Sequence, residues 1–231
     1  PGIAREKGRI WASQRIQERF LGKVGVDMRY STRSAFTEPD HRKKILKQNG
    51  KIEILIAAHC FFDAANGLGR NIFPDFYEWL KIVGKVSNQT DFNWYLKTHP
   101  DYLPGNNEIA QEIIRDYPRI QWIPNTTSHL QLVEEGLDFA LTVYGTIAFE
   151  YAALGVTVIN ASMFNPHVSY QFNLHPRSQE EYEKLLLSLS RDKKIKLNLE
   201  DIYEYYFMDK YYYDVSNWLI PNYDEYVDQY G

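Results

Sequence analysis

Lys51-Ile52-Glu53-Ile54-Leu55-Ile56-Ala57-Ala58, followed at once by His59-Cys60-Phe61-Phe62-Asp63, decides how this chain folds. The run is apolar, rich in β-branched residues and does not alternate with polar ones. A strand with one wet face alternates; a strand covered on both faces does not. Strands of that kind belong to parallel sheets, and a parallel neighbour needs a crossover, usually a helix. The reading therefore predicts a helix next, and then another buried strand.

The sequence supplies both. Pro74–Val86 places Phe76, Tyr77, Leu80 and Val83 on one side at helical spacing. Asn93–Lys97 reads as the second strand, Asn107–Asp116 as a helix and Ile120–Ile123 as the third strand. Thr127–Gly136 is a short helix that Gly136 is placed to stop. Phe139–Val143 is the fourth strand, and Thr146–Leu154 a helix that ends at Gly155. Val156–Ile159 is the fifth strand and Gln179–Ser190 the last helix of the series. This alternation predicts an α/β fold: a Rossmann-like parallel sheet over residues 51–195 with helices on both faces.

On either side the pattern changes. Residues 1–50 hold 12 Lys and Arg against 5 Asp and Glu, whereas the remainder holds 14 against 25. The shift falls near the turn signal Gln48-Asn49-Gly50. Residues 1–50 read as a helix around Trp11–Phe20 and a solvated basic linker, a phosphate- or membrane-facing segment being the sharper alternative. Residues 196–231 read as an aromatic-rich helical tail through Ile202–Phe207, Tyr211–Tyr213 and Trp218-Leu219-Ile220. Such aromatics either pack on their own domain or mark a docking surface.

Composition excludes several classes. The formal net charge of −4 argues against a protein devoted to coating nucleic acid or an anionic membrane. No apolar run reaches the roughly 20 residues a membrane span needs. One cysteine, Cys60, excludes an internal disulfide framework. The aromatic fraction of 15% suits sugar or base stacking, although aromatics also fill cores.

Parallel α/β sheets bind ligands at the carboxyl ends of their strands. There the sequence places His59 and Asp63, then Arg70 in a glycine-rich loop, then Lys97 and His99. Beyond the third strand stand Asn125, Ser128 and His129; beyond the fourth, Tyr144, Gly145 and Thr146; beyond the fifth, Asn160, Ser162 and His167. Each histidine alone is an ordinary structural residue, but their convergence on one edge points to a site. Gly145 lets a backbone approach a ligand closely. Thr146 opens a helix, where unpaired N–H groups favour phosphate, and Glu150 lies one turn further on. The plain alternative is a Thr cap and an ordinary helical Glu. Gly67-Leu68-Gly69-Arg70 lacks the Lys-Ser/Thr of a phosphate-binding P-loop, and no metal-ligand spacing or Gly-x-Ser-x-Gly elbow is present.

The order Trp122-Ile123-Pro124-Asn125, His129-Leu130, Tyr144-Gly145-Thr146, Glu150 and Ala153-Leu154-Gly155-Val156 resembles the donor-binding half of GT-B glycosyltransferases. His59–Asp63 with Pro74–Tyr77, and Lys97-Thr98-His99-Pro100, look like bacterial surface and capsule polysaccharide transferases. The likeness covers about residues 51–189. It implies that Trp122 and Asn125 hold the base and that Gly145 and Thr146 hold the diphosphate, with Ser128 and Tyr144 also among the nucleotide-sugar-binding residues. It further implies that Glu150 holds the ribose, and that Arg70, Lys97 and His99 meet the phosphate. His59 or Asp63 would serve as general base. The glutamine or acidic pair with which such enzymes grip the donor sugar is not evident after Gly155; Asn160 and Ser162 stand there instead.

The resemblance thus implies a glycosyltransferase donor domain. It would move a sugar from a nucleotide-sugar, its substrate and not a cofactor, to a surface or capsular polysaccharide acceptor. No resident cofactor or metal is expected. The expected partners are the glycan acceptor and an acceptor-binding N-terminal domain, so that the chain reads as the C-terminal half of a larger enzyme. No nucleic acid partner is expected. The expected location is the cytoplasm, extending to peripheral association with the inner face of the plasma membrane. The alternatives are an enzyme resembling nucleotide-sugar 2-epimerases, a teichoic-acid-type polymerase with a nucleotide-diphosphate-polyol donor, and a catalytically inactive interaction domain.

Overall fold

The computed structural model describes residues 2–27, 31–63, 71–99 and 103–212. Arg70 and its glycine-rich loop, Pro100, Tyr213 and residues 218–220 lie outside the described residues. The elements run α1 (Gly2–Phe20), β1 (Glu53–Ala57), α2 (Phe76–Gln89), β2 (Asn93–Lys97), α3 (Asn106–Asp116), β3 (Ile120–Trp122), α4 (His129–Glu134), β4 (Phe139–Thr142), α5 (Ile147–Ala153), β5 (Thr157–Asn160), β6 (Asn173–Leu174), α6 (Gln179–Leu187) and α7 (Leu199–Phe207). A π-helical turn, Met208–Tyr212, continues α7.

The six strands form one sheet in the order β3-β2-β1-β4-β5-β6, and every pairing is parallel. This is the doubly wound order of dinucleotide-binding folds. The register pairs Leu55 with Tyr95 on one side of β1 and with Ala140 on the other.

The apolar run of β1 explains both layers. Ile54 and Ile56 face α2 and α6, together with Trp94, Leu96, Phe139 and Leu141, against Trp79, Leu80, Val83 and Tyr182. Leu55 points the other way, with Tyr95, Ala140 and Val158, against Leu132 of α4 and Ala148 and Tyr151 of α5. Each fully buried Leu or Ile contributes about 1.5–3 kcal/mol, so both helical layers are held by the same strands. Asp75, not Pro74, opens α2: its carboxylate accepts from the Glu78 N–H at 2.8 Å.

The structure departs from expectation in two places and decides a third that the sequence left open. It adds a sixth strand to the five; β6 is two residues long, too short to carry a pattern. Residues 31–50 are not a solvated linker, because Phe36 and Leu46 are buried. Side chains of α4 and its C-cap hold this segment: Gln131 donates to the carbonyls of Asp40 and Lys43, and Glu135 accepts from the N–H groups of Ile45 and Leu46. The aromatic tail, as far as it is described, packs on its own domain. Ile202, Tyr205 and Tyr206 of α7 form a third cluster with Ala12 and Ile16 of α1 and Phe149 of α5. No helix among the described residues is long and apolar enough to cross a membrane.

Candidate functional site

From β1 the chain winds outward to β2 and β3, then returns to place β4 on the other side of β1. The carboxyl ends of β1 and β4 therefore flank the topological switch point, where a crevice opens. A cavity of about 320 Å³ lies there. It is at the small end of the range of ligand pockets, about 300–1,000 Å³. His59, Lys97, His99, Tyr144, Gly145, Thr146, Glu150 and Asp63 all line it.

Three anticipated residues do not line this cavity. Ser128 caps α4, accepting from the Leu130 N–H and donating to the Thr37 carbonyl. Trp122 is half-buried against the α2 face of the sheet. Asn125 sits in the turn before α4, outside the cavity lining.

The missing wall comes from the N-terminal segment. Arg19, Lys23 and Arg33 line the cavity together with Ser31, Ser34 and Phe36. The segment runs across the sheet edge because Phe36 is buried between Phe20 and His129, and the His129 N–H donates to the Ala35 carbonyl. The basic region therefore faces the cavity: four cations, Arg19, Lys23, Arg33 and Lys97, meet two carboxylates, Asp63 and Glu150. The charge excess of residues 1–50 was the signal in the sequence.

Each polar group has a distinct state. Arg19 Nε donates to Glu150 Oε1 at 2.9 Å, and a second Arg19 nitrogen also contacts Oε1. Thr146 does not cap α5 with its side chain; its hydroxyl donates to Glu150 Oε2 at 3.4 Å. Gly145 has no positive φ, but a Cβ there would lie 3.0 Å from Thr142 Oγ1 and 3.4 Å from His59 Cε1. Close packing of the β1 and β4 ends therefore explains the glycine.

Lys97 is almost wholly buried, and burial pulls its pKa down to about 8. Its Nζ donates to His129 Nε2 at 3.2 Å, which leaves the proton of that ring on Nδ1, beside the Tyr151 hydroxyl. Thr98 Oγ1 is buried on the cavity wall with no hydrogen-bond partner. A buried hydroxyl left unpaired is costly, and one that lines a cavity suits a polar ligand.

His59 is stacked on Phe76, ring centroids 4.6 Å apart. Its Nε2 accepts from the Val143 N–H at 3.2 Å and lies 3.0 Å from Thr142 Oγ1. Burial lowers its pKa to about 3, with the neighbouring His99 adding to the shift. A ring whose lone pair is engaged and whose proton affinity is so low is a poor general base. Asp63 remains exposed at the rim.

No known family model and no curated protein matches this chain. Fold and geometry alone define its class: a Rossmann-like, doubly wound α/β domain with a cationic cavity at the switch point.

Proposed function

We propose that this chain is the donor-binding domain of a glycosyltransferase, and that the cavity holds the phosphate-bearing part of a nucleotide-sugar. The observation that carries the reading is the cationic lining at the switch point, with Arg19, Lys23, Arg33 and Lys97 drawn from both the N-terminal segment and the sheet. Lys97, His99 and Arg33 would offset negative charge growing on the leaving phosphate. The ribose would meet Glu150 through Oε2, since Arg19 occupies Oε1. The acceptor, a surface or capsular glycan, would be brought by a partner domain, at the cytoplasmic membrane face.

A second reading has its own support. The engaged, weakly basic His59 leaves only Asp63 as a base from the anticipated pair, which favours a domain that binds nucleotide without turning it over.

Calorimetric titration with CMP, UDP, GDP and their sugar conjugates tests the proposal. A selective nucleotide should bind, and Arg33→Ala and Lys97→Met should each weaken it about ten-fold, the worth of one charge-assisted contact. Absence of binding by every nucleotide, from folded protein, refutes it. Binding without sugar transfer to any glycan selects the binding-only reading.

A further inference from the structure

A second cleft, of about 760 Å³, lies between the β5–β6 connection and α6. Ser162, Tyr170, Asn173, His175, Arg177 and Lys184 line it. It belongs to the outer edge of the sheet, two strands from the switch point.

The chain from the end of β5 to just past β6, which contributes much of the lining, is unusual in its hydrogen bonding. Folded proteins leave few buried polar atoms unpaired. Here both amide atoms of Asn160, Oδ1 of Asn165, Nδ1 of His167, Oδ1 of Asn173 and both ring nitrogens of His175 are buried without a hydrogen-bond partner. These are most of such atoms among the described residues. Asn173, which lines the cleft, is only 5% exposed; its Nδ2 donates to the Ala148 carbonyl at 3.1 Å, while its Oδ1 has nothing. His175 lines the cleft with His167 against it, ring centroids 5.2 Å apart.

We propose that this cleft is a second binding site, for a saccharide unit, and that it prefers sugars carrying a carboxylate. A neutral imidazole presents one donor and one acceptor, and an amide oxygen presents an acceptor. Asn173 and His175, the two of these residues that line the cleft, carry such uncharged groups for sugar hydroxyls. Burial keeps both rings neutral at pH 7, with His167 near 3 and His175 near 4. A bare phosphate would call for charged donors at the base of the cleft, and a transition metal for a third ligand. No group of three His, Cys, Asp or Glu residues suited to a metal occurs among the described residues. Tyr170, braced by Phe172 and Tyr205, offers an aromatic wall. At the mouth, Arg177 and Lys184 have no carboxylate partner among the described residues, and the Glu181 carboxylate is engaged by the Arg177 backbone N–H at 2.8 Å. The site does not depend on the nucleotide reading of the first cavity.

Saturation-transfer NMR on the full chain, with glucose and glucuronate as probes, tests it. Both should receive magnetisation, glucuronate more strongly. His175→Ala should weaken both about ten-fold. Arg177→Ala, an exposed change that leaves the core intact, should weaken glucuronate alone, and Lys97→Met should leave both signals unchanged. Transfer to neither sugar, signals indifferent to both His175→Ala and Arg177→Ala, or signals lost in Lys97→Met overturn the proposal. So does transfer seen only when CMP or UMP is added, which would make the cleft an annex of the first cavity. Zinc that displaces the sugar stoichiometrically would also overturn it in favour of a metal site.

Discussion

Arg19 of α1 and Glu150 of α5, 131 positions apart, form a buried ion pair at the back of the cationic cavity, with Arg19 Nε 2.9 Å from Glu150 Oε1. Their side chains are 11% and 4% exposed. The same guanidinium donates to the Val26 carbonyl at 2.7 Å and lies over the Phe149 ring. One contact thus ties the N-terminal segment to the helix after β4, and sets the shape of the cavity.

Breaking that pair on one side should be expensive. Arg19→Ala leaves a buried carboxylate uncompensated and should cost about 3–5 kcal/mol. The double change Arg19→Met with Glu150→Leu removes both charges and should recover most of the loss, because desolvation offsets much of the Coulombic gain. Urea unfolding of the two variants checks this. Equal losses would mean that packing, not charge, holds α1.

Lys97 should show opposite pH trends in stability and in anion binding. Its folded pKa, about 8, lies below the 10.5 of an unperturbed lysine. Between those values the unfolded chain carries the proton and the folded one does not, so stability rises with pH across that window. Phosphate affinity should fall across pH 8, as the buried charge is lost. Lys97→Met should flatten both trends. Thermal unfolding and nucleotide titration at pH 7 and pH 9.5 read them; parallel trends would refute the assignment.

Tyr182 supplies the acceptor for a buried indole. Trp79 Nε1 donates to its hydroxyl at 2.9 Å, between α2 and α6, and both side chains are fully buried. Tyr182→Phe keeps the ring and leaves that N–H unpaired, which should cost about 1–3 kcal/mol. A loss well under 1 kcal/mol in urea unfolding would show that the indole finds another acceptor.

These relationships differ in how far the sequence discloses them. The central strands were legible because a parallel sheet buries both faces of Glu53–Ala57, Asn93–Lys97 and Phe139–Thr142, and the residues state this directly. The strand ends were legible for the same reason, which is why His59, Lys97, Gly145 and Glu150 meet in one cavity. The stretch between β3 and α4 was harder to read. Ser128 has the residue type of a phosphate ligand, but its hydroxyl is spent on a helix cap and on Thr37. Arg19, Lys23 and Arg33 could not be placed because no local pattern says where a connector crosses a sheet. Phe36 and the polar side chains of Gln131 and Glu135 decide that, across separations of 88 and 89 residues for two of the bonds that hold it.

Acid should loosen the domain before most carboxylates titrate. His59 and His167 fall to about 3 and His175 to about 4, each chiefly through burial, and His129 is also held well below its ordinary value. All four are neutral when folded, whereas the unfolded chain protonates them below about pH 6.5. Below that pH the unfolded state binds more protons, so stability falls as pH drops from 6.5 towards 4. The salt-bridged Asp27, whose pKa is lowered despite its burial because Arg15 and the Tyr206 hydroxyl bond it, adds its loss only at lower pH. Urea midpoints at pH 7.5, 6.5, 5.5 and 4.5 should therefore decline already by pH 5.5. A His167→Phe, His175→Phe double variant should decline less steeply, since two of the four sites no longer take up protons on unfolding. A midpoint that stays flat to pH 5 would mean that the imidazoles are protonated in the folded state, and would remove the neutral pair on which the saccharide cleft depends.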